Sequence, residues 1–66
     1  MMDYTTSEIM ALIREYIHHE RNREILKRRL IDGRTYEQLA EEFDLSERQI
    51  KNIVYKSEKV LFQRLQ

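Results

Sequence analysis

The sequence predicts an all-α fold, a four-helix domain, on three observations. Apolar residues recur at helical spacing in four successive segments. There is no Pro and one Gly, Gly33, in 66 residues, so the turn punctuation that sandwiches and barrels need is missing. Thr35 with Gln38 and Ser46 with Gln49 are two Ser/Thr-x-x-Gln pairs, the reciprocal arrangement that starts a helix. The expected helices cover about 7–19, 23–31, 36–43 and 47–65. A chain this short holds one domain, 1–66, with residues 1–6 as a loose N-terminus.

In the first helix Ile9, Leu12, Ile13, Tyr16 and Ile17 form a single apolar stripe. Thr6 or Ser7 supplies a hydroxyl to cap it. The pattern lapses from Glu20 to Asn22, which reads as a connection with Asn22 capping the next helix. There Ile25, Leu26 and Leu30 face inward, with Ile31 near the end, while Lys27, Arg28 and Arg29 point largely outward. Gly33 suits the left-handed residue that commonly follows a helix. The third helix turns Leu39, Ala40 and Phe43 inward, and Asp44-Leu45-Ser46 forms a three-residue turn with an apolar centre. On the fourth helix Ile50, Ile53, Val54, Ser57, Val60 and Leu61 continue one face, extended by Leu65.

Without Cys the chain has no disulfide and no thiolate metal site. No apolar run reaches membrane-spanning length and the start lacks signal-peptide character, so a cytoplasmic protein is expected. The net charge is zero, but its distribution is not even: residues 1–20 carry −3, 21–34 carry +4, 35–44 carry −4 and 45–66 carry +3. Two basic blocks that a fold can bring together are compatible with nucleic acid, although charge alone equally describes solvated helix faces.

The last two helices decide between these readings. An eight-residue helix, a three-residue turn with a buried Leu and a second capped helix match a helix-turn-helix, here residues 35–57. Ala40 permits close helix approach, Leu45 plugs the gap beneath the turn, and Ile50 and Val54 hold the second helix. Glu47, Arg48, Lys51, Asn52, Tyr55 and Lys56 are then left outward. Arg and Lys reach guanine O6 and N7, and Asn pairs with adenine N6 and N7, so this face suits the major groove. The free N–H groups at the start of the third helix, at Thr35 and Tyr36, favour an anion, and Arg34 stands immediately ahead of them. The expected base-reading residues are Glu47, Arg48, Lys51, Asn52 and Tyr55. Phosphate contacts are therefore expected at Arg34, Thr35 and Tyr36.

The run Thr35-Tyr36-Glu37-Gln38-Leu39-Ala40-Glu41-Glu42-Phe43-Asp44-Leu45-Ser46-Glu47-Arg48-Gln49-Ile50-Lys51-Asn52-Ile53 resembles region 4 of sigma-70 family transcription factors, and Arg23 to Gly33 resembles the helix ahead of that unit. The resemblance covers about residues 21–65 and is shared in part with four-helix output domains of response regulators. It implies a recognition helix in the major groove of a promoter, with Glu47, Arg48, Lys51 and Asn52 at base-reading positions, Lys56 at a phosphate, and a backbone-phosphate contact at Thr35 and Tyr36. Glu47 stands where primary sigma factors carry a base and Arg48 where they carry an acid, so their sequence preference does not transfer. The regions that bind the −10 element and core polymerase are not represented, so the expectation is a sequence-specific transcription regulator acting on double-stranded DNA that resembles a stand-alone region 4, whether a stand-alone regulator, a phage-type or mobile-element protein, or an excised domain.

The rival is a protein-interaction module that binds RNA polymerase or another regulator, favoured by net neutrality and by the acidic third helix. Enzymatic chemistry is not expected. Glu37 and Glu41 sit at i, i+4 but read as a solvated face, and the adjacent His18 and His19 diverge and lack further metal ligands. Neither metal nor cofactor is expected. Part of the set Val60, Leu61, Phe62 and Leu65 should pack back on the first helix with Phe62 left outside, which favours a monomer over a homodimer.

Overall fold

The computed structural model describes residues 4–64. Four helices follow one another, α1 (Thr6–Tyr16), α2 (Glu20–Leu30), α3 (Tyr36–Phe43) and α4 (Glu47–Arg64), and no strand occurs among the described residues. The domain measures 31 × 20 × 19 Å. At 1.5 Å per residue the 18-residue α4 runs most of the long dimension and packs on all three other helices.

One core joins them. Ile13, Ile17, Ile25, Leu26, Leu39, Ile50, Val54 and Leu61 are buried, so every helix or its cap contributes. On α4 the buried line is Ile50, Val54, Ser57 and Leu61. Val60, expected on this face, is instead exposed, because about 100° per residue carries it a quarter turn off Leu61. Phe62 is exposed, as expected, and Leu65 lies outside the described residues. Helix α1 does pack on α4, but it also packs on α2.

The helix starts in the second half fall where the sequence places them. The Thr35 hydroxyl accepts from the Gln38 backbone N–H at 3.1 Å while the Gln38 side-chain Oε1 accepts from the Thr35 N–H at 2.9 Å. Ser46 and Gln49 repeat both bonds at 2.9 and 3.1 Å. Gly33 has φ +70° as expected. Asp44 is also left-handed, with φ 56° and ψ 46°, which lets the Leu45 N–H reach the Ala40 carbonyl at 3.0 Å and close α3. A carboxamide or carboxylate side chain tolerates this conformation better than others do.

The first half departs from expectation. A third capping box, Thr5 with Glu8, starts α1, so Thr5 is the cap and not Thr6 or Ser7. Of the segment 1–6, residues 1–3 lie outside the described residues and Thr6 opens the helix. Helix α1 stops at Tyr16 and does not run on to His19: Ile17 turns extended, at φ −109° and ψ 114°, and stays buried. Arg23 explains the stop. Its guanidinium donates to the Ile17 carbonyl and, at 2.6 Å, to the Arg14 carbonyl, satisfying groups a helix end leaves bare. The three-residue connection therefore shifts from 20–22 to 17–19, and α2 starts at Glu20, three residues before the expected Arg23. His19, not Asn22, holds the cap position, with no side-chain cap bond, and Asn22 accepts instead from the neighbouring Arg21.

Candidate nucleic-acid interface

Helix α3 crosses α4 through Leu39, Ile50 and Val54, with Ala40, Phe43 and Leu45 packed at their edge, so the turn holds α4 against the domain by its inner side only. Glu47, Arg48, Lys51, Asn52, Tyr55 and Lys56 are all exposed on its outer side. All five expected base-reading residues thus share one face. Asn52 turns towards the start of α2, where it borders an open groove of about 230 Å³ with Arg21, Leu45, Gln49 and Ile53. Lys51 and Tyr55, one turn apart, lie towards the start of α3.

The expected phosphate residues divide. Arg34 and Thr35 are exposed beside the α3 N-terminus, and Thr35 is spent on its capping bonds. Lys56 is exposed on α4, on the Asn52 side by helical spacing. Tyr36 is only half-exposed. The guanidinium of Arg29 lies 4.3 Å from its ring centroid, the Lys51 ammonium 5.7 Å away, and the Tyr55 ring stands edge-on at 6.2 Å and 84°. Burial, then a hydrogen bond with Tyr55, raises the Tyr36 phenol above its ordinary 10.0, opposed by the Arg29 charge. It is therefore neutral throughout the physiological range.

The two basic blocks meet here in part. Arg29 of α2 and Lys51 of α4 converge on one ring. Much of the first block is used internally. Arg23 holds carbonyls, Lys27 pairs with Glu24 at 3.2 Å, and Arg28 bridges Glu24 at 3.0 Å and Glu42 at 2.6 Å while lying 5.2 Å over Phe43. The Lys27 and Arg28 contacts, in that order, hold the Glu24 carboxyl below its ordinary value. The Arg28 pair also neutralises one of the four acids of residues 35–44.

Arg21 and Arg29, legible in the sequence only as part of the basic block 21–34, flank the α4 face on its two sides. The return of the chain at Gly33, where the Arg34 N–H bonds the Arg28 carbonyl at 3.0 Å and Arg29 bonds the Arg34 carbonyl at 2.9 Å, is the signal that brings Arg29 to Tyr36. His18 and His19 are exposed, and no cluster of metal-ligating side chains occurs among the described residues. No helix there is long and apolar enough to cross a membrane.

A helix-turn-helix closed by two capping boxes, with a helix packed ahead of it, is thus the unit that carries the exposed face. Residues 19–61 match the family described as Sigma-70, region 4. The chain belongs to that family. Region 4 is a DNA-binding helix-turn-helix domain of transcription and is regulatory, not catalytic. Domains of this family bind the promoter −35 element and the RNA polymerase core. The matched stretch begins at the cap of α2 and ends at Leu61, the last core residue of α4, so α1 lies ahead of the family's unit. No curated protein and no solved structure is detectably similar to the chain.

Proposed function

We propose that this region 4 domain is a sequence-specific DNA-binding transcription regulator of the cytoplasm, with α4 in the major groove. The observation that carries the reading is the outer face of α4, where two guanidinium- or ammonium-bearing side chains, Arg48 and Lys51, and one carboxamide, Asn52, stand exposed beside Tyr55. These groups carry the donors and acceptors that distinguish bases from their groove edges. Glu47 at the start of α4 accepts from a cytosine amino group or repels a phosphate, and so acts on specificity more than on affinity. Arg34, the amides at the start of α3 and Lys56 meet phosphates on either side.

Titration of labelled protein with a varied duplex pool tests this. Amide shifts are expected at residues 34–37 and 46–56, with affinity falling as salt rises through counterion release. Against a duplex selected from random sequence, Arg48→Ala and Asn52→Ala each lower discrimination by about 1–3 kcal/mol. Lys56→Ala weakens all duplexes alike and lowers the salt slope by about 1. Absence of shifts at low salt, or equal losses on selected and random DNA for all three variants, overturns the reading.

A second reading rests on Val60 and Phe62, 40% and 45% exposed near the end of α4, and on the exposed Glu37 and Glu41 of α3. In it the domain docks on RNA polymerase or another regulator without independent DNA binding. Purified core polymerase that binds the domain while no duplex does would favour it. The domain acts as a monomer in the first reading, since Leu61 is consumed by its own core. Sedimentation equilibrium giving a two-chain mass that Phe62→Ala abolishes without unfolding would replace the monomer by a dimer.

A further inference from the structure

We propose that Tyr36 is a positioning residue for the reading face of α4, its ring fixing where Lys51 and Tyr55 stand; the inference rests on the DNA-binding reading above. The ring belongs to the first residue of α3, whose backbone is set by the Thr35 capping box. Arg29 lies 4.3 Å from the ring centroid and is itself anchored to the Arg34 carbonyl at 2.9 Å. Lys51 is held over the same ring at 5.7 Å and Tyr55 meets it edge-on at 84°. Three helices thus converge on one aromatic side chain, and two of the side chains it touches are candidate base readers.

The physical consequence is preorganisation. An exposed Lys or Tyr on a helix samples several rotamers and loses that freedom when it binds. A cation–π contact and an edge-to-face pair narrow the choice before DNA arrives. Lys51 and Tyr55 are at i, i+4, so a single ring reaches both. A phosphate at this helix start is met by backbone N–H groups, while the ring is already engaged by its three neighbours. Because the phenol is neutral, it adds nothing to counterion release. A positioning role therefore shows in sequence discrimination and not in salt dependence.

The full 66-residue chain is tested with Tyr36→Leu, Tyr36→Phe, Tyr55→Leu and the Tyr36→Leu/Tyr55→Leu double variant, on selected and random duplexes. Loss of one aromatic pair is expected to lower discrimination about two- to tenfold in Tyr36→Leu, with an unchanged salt slope. Tyr36→Phe should retain most of it. The double variant should lose less than the sum of the two single losses, because the Tyr36–Tyr55 contact is shared while the Lys51 contact belongs to Tyr36 alone. In the free protein the Lys51 side-chain methylenes should show upfield ring-current shifts that vanish in Tyr36→Leu and persist in Tyr36→Phe, while the Leu39 and Ile50 methyl shifts stay in place. Unshifted Lys51 methylenes in the unaltered chain overturn the proposal without reference to DNA. Equal loss on selected and random duplexes, or additive losses in the double variant, overturn it in favour of a direct phosphate contact. A chain that shows the Lys51 shifts but binds no duplex overturns the DNA-binding reading, and this inference with it.

Discussion

The two halves of the domain are held at their helix ends by different means. In the half made of α3, the turn and α4, each start is closed by a hydroxyl and a carboxamide three residues apart. In the half made of α1 and α2, the junction is closed by Arg23, reaching back six and nine residues to carbonyls of a neighbouring helix end. A bond between residues three apart is fixed by the local chain. A bond between helices exists only once the helices have packed. The difference teaches that the recognition unit is defined by its own sequence, whereas α1 takes its length from α2.

The halves nevertheless share one core, and the largest expected effect tests that. Leu26 of α2 and Leu39 of α3 are both fully buried. Replacing either by Ala should cost about 2–5 kcal/mol, a large part of the stability of so small a domain. Chemical denaturation followed by circular dichroism, with amide exchange read per residue, should show both variants losing protection in all four helices together. Survival of protection in α3 and α4 of Leu26→Ala would break the single-core picture and make the recognition unit autonomous.

Arg23 is the next test, and it addresses the junction alone. Arg23→Ala leaves the Arg14 and Ile17 carbonyls without their charged donor, which should cost about 1.5–3 kcal/mol. Arg23→Lys should recover little of this, because an ammonium cannot reach two carbonyls as a planar fork does. Urea midpoints measure the cost. Duplex affinity of the folded fraction should stay constant, since the Arg23 side chain faces α1 and not the outer face of α4. A drop in affinity at full folding would instead place the α1–α2 junction in the interface.

What the sequence made legible follows the same division in part, since the Thr5–Glu8 box of α1 is just as local and Thr6 or Ser7 was expected in its place. The residues of α3, the starts of α3 and α4, and the left-handed Gly33 all depend on interactions within a few residues, and each was readable. Buried Ile17 misled the reading of α1, because an apolar residue at the right spacing looks helical even where the chain has turned extended to place it. Asn22 looked like a cap because its chemistry suits one, but Arg23 starts the geometry three residues earlier. In the candidate site the exposed face of α4 was legible from its period. The surroundings of Tyr36 were not, since Arg29 and Tyr55 come from two other helices and only the tertiary fold brings them to one ring.

Capping offers a smaller and more graded comparison. Thr35→Ala and Ser46→Ala each remove a hydroxyl acceptor at a helix start and should cost about 1 kcal/mol. The two caps are eleven residues apart and share no partner, so the double variant should add, as independent sites do. Thermal denaturation of the four-member cycle checks this. A clear excess in the double variant would show that the two helix starts form one cooperative unit through the turn at Asp44-Leu45.

The smallest effect separates the halves by pH. The third capping box uses Glu8 where the other two use Gln38 and Gln49. The Thr5 N–H donates to the Glu8 carboxylate at 2.9 Å, and that bond, more than the one from the Thr5 side chain, holds the Glu8 carboxyl below its ordinary 4.5. Glu24, on α2, is likewise lowered by Lys27 and then Arg28. A carboxyl whose folded value is depressed contributes stability that is fully present above its unfolded value and is lost as pH falls through the folded one. Acidification from 4.5 downward should therefore loosen the start of α1 and the Glu24 pairs of α2, while the carboxamide boxes, which do not titrate, stay closed. Glu8 is exposed and Glu24 partly so, so the loss should be small and reduced further by salt. Amide shifts of Thr5, Thr35 and Ser46 followed from pH 7 to pH 3 measure it directly, with movement expected at Thr5 and little at the other two. Glu8→Gln should make the Thr5 shift as insensitive to pH as its counterparts. If Thr35 and Ser46 move together with Thr5, acid acts on the shared core and not on the caps, and the two halves are not separable by their end chemistry.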